Sequence, residues 1–121
     1  MSYVEDPGAA NFILPLHKEL CGAGYDSIAL INQELNDYAK IKNFDFKIVN
    51  SKNIFKFLEF IKPEIILCGT SENKKSLSFQ LIEYAKKESI TTISVVDMCV
   101  NLSKRFSGNT KKPLKYAPNY I

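Results

Sequence analysis

The chain has 121 residues, of which 45% are hydrophobic and 12% aromatic, enough for one domain with a packed core. Charged residues make up 24%, no apolar run approaches the roughly 20 residues that a membrane-spanning helix needs, and no basic-then-apolar leader opens the chain. We therefore expect a single soluble, cytoplasmic domain.

The predicted elements alternate short apolar runs with helical patterns, which is typical of strand-helix units around a parallel sheet. In chain order they are a strand at Ser2 to Val4, a helix over about Asn11 to Cys21, a strand at Ser27 to Ile31, a helix at Gln33 to Lys40, a strand at Phe46 to Val49, a helix at Ile54 to Ile61, a strand at Ile65 to Cys68, a helix at Leu77 to Glu88, a strand at Thr92 to Val96, and one helical turn around Leu102 to Phe106.

These elements predict a three-layer α/β/α, Rossmann-like (flavodoxin-like) domain with a parallel sheet of about five strands. Ile65 to Cys68 is a continuous apolar run, as in strands buried on both faces, and should be central. The ending Pro118 to Ile121 has the pattern of an approach to a further strand. The sequence therefore predicts a fragment of a longer, two-domain protein.

In the first helix, an apolar face is predicted to pack against the sheet. Gly22 and Gly24 should end the helix, and Pro15 should fall within about its first turn, where proline does least harm. The residues of the predicted buried face are Phe12, Ile13, Leu16 and Leu20.

The net charge of +3 is unevenly distributed. All 13 acidic residues precede residue 98, whereas five of the 16 basic residues follow it: Lys104, Arg105, Lys111, Lys112 and Lys115. Residues 107 to 121 are accordingly predicted to form a basic, irregular tail, either a solvated linker or a segment that meets a polyanion. Because the segment lacks the aromatic and basic interleaving typical of nucleic-acid surfaces, a nucleic-acid partner is not expected.

The three cysteines, Cys21, Cys68 and Cys99, are odd in number, lack CxxC spacing and lie in apolar segments. They are predicted to be reduced core residues and not disulfides or zinc ligands. The lone His17 is predicted at the surface or boundary of its helix, without a second histidine for a metal site. No metal or cofactor is expected.

Three loops should meet at one edge of the sheet, because parallel strands end on the same side. They run from Glu5 to Asn11, from Gly69 to Asn73 and from Asp97 to Asn101. In the first loop, Asp6 and Gly8 precede a helix whose N-terminal N–H groups suit an anion. The alternative is a tight turn with Asn11 as the helix N-cap.

In the second loop, Gly69, Thr70 and Ser71 offer amides and hydroxyls for a sugar or phosphate oxygen, without the lysine and spacing of a P-loop. In the third, Asp97 follows an apolar strand, where it can orient a hydroxyl, act as a base, or simply cap a turn. Asn101 and Arg105 belong either to a short packed helix or to a cluster around Asp97.

Four segments resemble the N-terminal Rossmann-like domain of the two-domain GT-B superfamily, which includes UDP-N-acetylglucosamine 2-epimerases and polysaccharide glycosyltransferases. The resemblance covers nearly the whole chain. The segments are Asp6 to Leu16, Lys62 to Gly69, Val95 to Asp97 with Asn101, Arg105 and Phe106, and Ala117 to Ile121.

The resemblance implies a role in nucleotide-sugar processing or polysaccharide biosynthesis, with a nucleotide sugar or glycan acceptor as partner. Asp97 would be the catalytic residue. Epimerase activity is not implied, since the epimerases have arginine-proline-glutamate where this chain has Asp6-Pro7-Gly8. The implied ligand-binding residues are Asp6, Gly8, Asn11, Gly69, Thr70, Ser71, Asn101 and Arg105.

In GT-B enzymes the nucleotide is held mainly by the C-terminal domain, so the isolated chain is expected to show no turnover. The alternative is a stand-alone, flavodoxin-like binding or interaction module without catalysis. Such a module would form a homo-oligomer through the strand edge or through the helix at Leu77 to Glu88.

Overall fold

In the computed structural model, which describes all 121 residues, five parallel strands form one sheet in the order β3-β2-β1-β4-β5. The strands are β1 (Ser2–Val4), β2 (Ala29–Ile31), β3 (Lys47–Ile48), β4 (Ile65–Gly69) and β5 (Thr91–Val95). The helices are α1 (Pro7–Gly22), α2 (Asn36–Ile41, preceded by a 3-10 turn at Gln33–Leu35), α3 (Ile54–Ile61), α4 (Leu77–Lys87) and α5 (Leu102–Ser107).

The predicted α/β class with a five-stranded parallel sheet is confirmed. Helices α1 and α2 cover one face of the sheet, where they pack on Val4, Ile31 and Leu67. Helices α3 and α4 cover the other face and pack on Leu30 and Ile66. The strand order is that of a Rossmann sheet, whose switch point, the place where the chain reverses its direction of winding, lies between β1 and β4.

Helix α1 begins at Pro7 and not near Asn11, so the first loop is only two residues long. Asp6 is the N-cap, and its carboxylate accepts a hydrogen bond of 2.9 Å from the Ala9 N–H. Aspartate at the N-cap followed by proline at the first helical position is a favourable helix start. Pro15 therefore lies in the helix interior, where it has no N–H to donate to the Asn11 carbonyl.

The buried face of α1 also differs from the predicted one. Phe12 is 55% exposed and Leu16 is 43% exposed. The helix lies close against β4, because Ala9 occupies the space beside Gly69 that a side chain would fill. Small residues thus set the orientation of this helix, and its larger apolar residues at positions 12 and 16 face outward. The buried residues are Ala9, Ala10, Ile13, Leu14 and His17.

His17 is buried and shares a hydrogen bond of 2.8 Å with the Ser27 hydroxyl, so its predicted surface position is wrong. The Ser27 hydroxyl gives the buried imidazole a hydrogen-bond partner, and the residue type alone does not predict such a partner. Of the cysteines, only Cys68 is a core residue as predicted, whereas Cys21 and Cys99 are exposed. All three are free thiols.

The basic segment at residues 107 to 121 is irregular but packs against the domain. Tyr116 stacks on Phe79 of α4 at a centroid distance of 4.7 Å. The Asn119 side chain accepts hydrogen bonds of 2.8 Å from both the N–H and the hydroxyl of Thr92. Tyr120 forms a parallel bridge with Ile93, which agrees with the predicted approach to a further strand.

None of the helices combines the length and the apolar character required to cross a membrane.

Replacement of Gly69 by alanine should destabilise the fold, because the added Cβ would overlap that of Ala9. We expect the free energy of unfolding to fall by about 1–3 kcal/mol, as for other overpacked cores. Gly22→Ala is the matched control, since a Cβ there meets nothing within 4 Å. Urea denaturation followed by circular dichroism should show a much larger loss for Gly69→Ala; equal midpoints would contradict the close packing.

Burial lowers the pKa of His17 below its ordinary value of 6.5. The folded state then binds fewer protons than the unfolded state, so the free energy of unfolding should fall as the pH drops through 6.5 and level off below the folded-state pKa. The difference between the wild type and His17→Gln, measured by urea denaturation from about pH 7.5 to 5, isolates this contribution. If the difference in free energy of unfolding between the two proteins did not change with pH, the lowered pKa of His17 would be contradicted.

Candidate functional site

The loops that follow β1, β4 and β5 meet at the carboxyl edge of the sheet, as predicted. Arg105, only 7% exposed, links two of them. Its Nη1 donates to Asp97 Oδ1 at 3.0 Å and to the Thr70 hydroxyl at 3.1 Å. Its Nε donates to the Val100 carbonyl at 3.2 Å. The guanidinium is therefore held by this chain's own groups.

Asp97 also contacts the start of α1, next to the loop that follows β1. Its carboxylate lies against Gly8 so closely that a Cβ at position 8 would overlap Asp97 Oδ2. Gly8 does permit a close approach to its backbone, but the group that approaches is the Asp97 side chain of the same protein. The Asp97 side chain keeps 17% of its surface exposed, so one side of the carboxylate can still reach a ligand.

The N-termini of α1 and α4 are both occupied by carboxylates. Asp6 caps α1, as described above, and Glu5 Oε2 accepts a hydrogen bond of 3.1 Å from the Leu77 N–H at the start of α4. Glu5 therefore bridges from the end of β1 to α4, beside the switch point where ligands of such sheets bind. Its other oxygen, Oε1, is buried without a hydrogen-bond partner.

Glu72 and Asn101 form the exposed rim of the cluster. Glu72 Oε1 lies 3.7 Å from Arg105 Nη2 and accepts a hydrogen bond of 3.3 Å from the Asn101 side chain. Asn101 has a φ of 57°, in the left-handed region that asparagine tolerates better than most residues. This turn brings the chain into α5 and thereby directs Arg105 back toward Asp97.

Three of the predicted ligand-binding residues, Asn11, Ser71 and Gly69, are not part of the cluster. Asn11 is on the outer side of α1, where its side chain accepts a hydrogen bond from the Tyr38 hydroxyl of α2. Ser71 accepts a hydrogen bond of 3.1 Å from the Asn73 N–H within its own loop. Gly69 lies under Ala9 and serves packing. The structure brings together Asp6, Gly8, Thr70, Asp97, Asn101 and Arg105.

Glu5 and Glu72 belong to the site but were not among the predicted residues. Glu5 directly follows β1, and acidic residues after a strand are a usable signal. The partner of Glu5, however, is 72 positions away at Leu77, and no local pattern connects the two.

Buried groups beneath this edge are held in their neutral forms. Burial, followed by the nearby Glu5 carboxylate, raises the pKa of Tyr3, whose hydroxyl lies 3.3 Å from Glu5 Oε2. Burial raises the pKa of the Cys68 thiol to about 11, so it remains protonated and is a poor nucleophile. The exposed ionisable groups of the loop after β4 are Glu72, Lys74 and Lys75, and the Asp97 carboxylate after β5 is partly exposed.

Four carboxylates lie at the carboxyl edge of the sheet, those of Glu5, Asp6, Glu72 and Asp97. The carboxylates of Glu72 and Asp97 contact the Arg105 guanidinium, and those of Glu5 and Asp6 accept hydrogen bonds from the N-termini of α4 and α1. No three histidine, cysteine or acidic side chains are arranged so that they could hold a metal ion. With both helix N-termini filled by carboxylates, neither is open to a phosphate, whereas the hydroxyl groups of a neutral ligand would find acceptors.

Comparison of the chain with protein-family models, curated proteins and solved structures finds no match.

Removal of the Arg105 side chain should destabilise the protein, because it leaves Asp97 beside Gly8 without its cation. We expect Arg105→Ala to lower the free energy of unfolding by about 2–4 kcal/mol, below the full effect for a buried pair because Asp97 is partly exposed. Lys104→Ala, at the exposed neighbouring position, should change it by less than about 0.5 kcal/mol. Similar unfolding midpoints for the two variants would contradict the role of Arg105.

Proposed function

We propose that the chain is the N-terminal, acceptor-side domain of a GT-B-like protein that transfers or processes nucleotide sugars in polysaccharide biosynthesis. Its carboxyl edge binds the hydroxyl groups of a glycan acceptor. The observation that carries this proposal is the occupation of both helix N-termini by Glu5 and Asp6. It favours an uncharged, hydroxyl-rich ligand over a phosphate at this edge.

Asp97 is the residue to which we assign the central role. Arg105 and Gly8 hold its carboxylate from two sides, and its exposed side faces the solvent. In that position the carboxylate accepts a hydrogen bond from an acceptor hydroxyl and is suited to take its proton as the hydroxyl oxygen bonds to the anomeric carbon of the donor sugar and the bond from that carbon to the nucleotide's phosphate oxygen breaks. Thr70, buried beside Arg105, fixes the orientation of the guanidinium.

The nucleotide sugar would be held by a second domain across a cleft, as in GT-B enzymes. The neutral acceptor and the charged donor would then bind on different walls, each with matching electrostatics. The 121-residue chain alone should therefore bind an acceptor glycan and catalyse nothing.

Saturation-transfer NMR tests this proposal with neutral oligosaccharides, UDP and UDP-N-acetylglucosamine as probes. We expect the intact chain to give signals from at least one neutral oligosaccharide and weaker signals from the two nucleotides. Asp97→Asn, which keeps the shape of the side chain and removes its charge, should reduce the glycan signal by about tenfold, as expected for loss of a charge-assisted hydrogen bond.

Asp26→Asn is the matched control, because Asp26 is an exposed residue that precedes β2 and so lies near the opposite end of the sheet. Its glycan signal should equal that of the wild type. Three outcomes would overturn the proposal. They are an equal loss of glycan signal in the two variants, binding of nucleotides but not of glycans, and sugar transfer by the isolated chain that Asp97→Asn abolishes.

A stand-alone interaction module is the second candidate, and the exposure of Phe12 and Leu16 on α1 favours it. This candidate predicts self-association or partner binding without glycan binding. The NMR experiment separates the two candidates because only the first predicts an effect of Asp97.

A further inference from the structure

The basic segment that follows α5 lies against α4. Tyr116 stacks on Phe79 at a centroid distance of 4.7 Å, and Gly108 fits closely against both rings. The Lys86 ammonium donates a hydrogen bond of 3.0 Å to the Lys115 carbonyl. The lysines of this segment and those next to or within α4, which are distant in sequence, are therefore gathered on one side of the domain.

A groove of about 320 Å³ lies between the start of α4 and this segment, and we call it the lysine groove. Phe79 and Tyr116 supply its apolar surface. Its volume is at the lower end of the range for ligand sites, which is enough for a short stretch of a polymer. Four of the side chains that line it carry N–H groups and are exposed, so these groups are open to a ligand. They are Lys74, Lys75, Gln80 and Asn109.

Lysines outnumber carboxylates around the lysine groove. Glu83 is the one carboxylate that lines it, and its Oε1 lies 3.7 Å from Lys115 Nζ. That ammonium offsets the charge of Glu83, so the positive charges of Lys74 and Lys75 remain in excess. Such a surface is complementary to a polyanion. The exposed lysines gathered on this side are Lys74, Lys75, Lys86, Lys111, Lys112 and Lys115.

The aromatic residues of the lysine groove do not suit a nucleic acid. Proteins that bind single strands stack the bases on aromatic rings. The Tyr116 ring is already stacked on Phe79 and has the Lys115 ammonium 4.7 Å from its centroid, while Phe79 is 5% exposed. The lysine groove therefore fits a polyanion that has no bases.

The polar side chains of the lysine groove match the groups of an acidic sugar chain. The amides of Gln80 and Asn109 each offer donors and an acceptor, which is the combination that pairs with hydroxyl groups. The ammonium groups of Lys74 and Lys75 form charge-assisted hydrogen bonds with carboxylate or phosphate oxygens. Amides beside ammonium groups favour a chain rich in hydroxyls over an acidic peptide.

We propose that the lysine groove binds an anionic glycan, a chain of sugar units that carry carboxylate or phosphate groups. Lys74 and Lys75 contact the anionic groups, and Gln80 and Asn109 contact the sugar hydroxyls. The basic segment then has a binding role, because it completes the groove. This site is separate from the carboxyl edge, since none of these four residues contacts Asp97.

Fluorescence anisotropy of the full chain with a labelled oligogalacturonate tests the carboxylate form of the ligand, and a labelled phosphomannan fragment tests the phosphate form. We expect at least one of the two probes to bind, and the tighter one assigns the anionic group. The double variant Lys74→Gln, Lys75→Gln should raise the dissociation constant by more than about tenfold, because two charge-assisted contacts are lost.

The matched control is the double variant Lys18→Gln, Lys40→Gln, which removes the same net charge from exposed positions on α1 and α2, over the opposite face of the sheet. It should bind like the wild type. Unlabelled dextran, polyglutamate and single-stranded DNA serve as competitors and should displace the probe less well than unlabelled acidic glycan.

Three outcomes would overturn this proposal. They are the absence of binding to both acidic probes at low ionic strength, equal losses of affinity in the two double variants, and displacement by polyglutamate or DNA that matches or exceeds displacement by the acidic glycan. The test uses acidic glycans and lysine variants, whereas the test of the carboxyl edge uses neutral glycans and Asp97→Asn. The two proposals can therefore fail separately.

Discussion

The close contact of α1 with the ends of β4 and β5 is the constraint on which the candidate site depends. Ala9 fills the space above Gly69, and Gly8 admits the carboxylate of Asp97. Only small residues at these positions let the helix approach so closely. This approach brings the end of β5 to the start of α1. Asp97 then lies between α1 and Arg105, whose guanidinium donates a hydrogen bond to it.

The carboxylates of this edge occupy positions that bound anions take in many Rossmann-like sheets. Helix N-termini attract negative charge, whether it comes from a ligand or from the protein itself. Here Asp6 and Glu5 supply it, so α1 and α4 are stabilised without a ligand. Neither of these two helix N-termini is therefore open to a bound phosphate.

The strands, the helices and the meeting of three loops could be predicted from hydrophobic periodicity, which reports the average environment of each segment. The start of α1 could also have been found, since Asp6-Pro7 is a strong N-cap signal. The orientation of α1 could not be predicted, because the long-range contact between Ala9 and Gly69 determines it. Both residues are less hydrophobic than Phe12 and Leu16, so hydrophobic periodicity assigns the larger pair to the core although they are exposed. Hydrogen bonds such as that of Glu5 with Leu77 are likewise invisible to local patterns.

The two large residues that hydrophobic periodicity predicts in the buried face of α1, Phe12 and Leu16, lie instead on its exposed side. Phe12 and Leu16 are apolar and exposed, so α1 carries an apolar flank that this domain does not bury. Gly8 lies at one end of that flank and touches Asp97. The exposed flank of α1 therefore begins beside the Asp97 carboxylate, at the edge where the three loops meet.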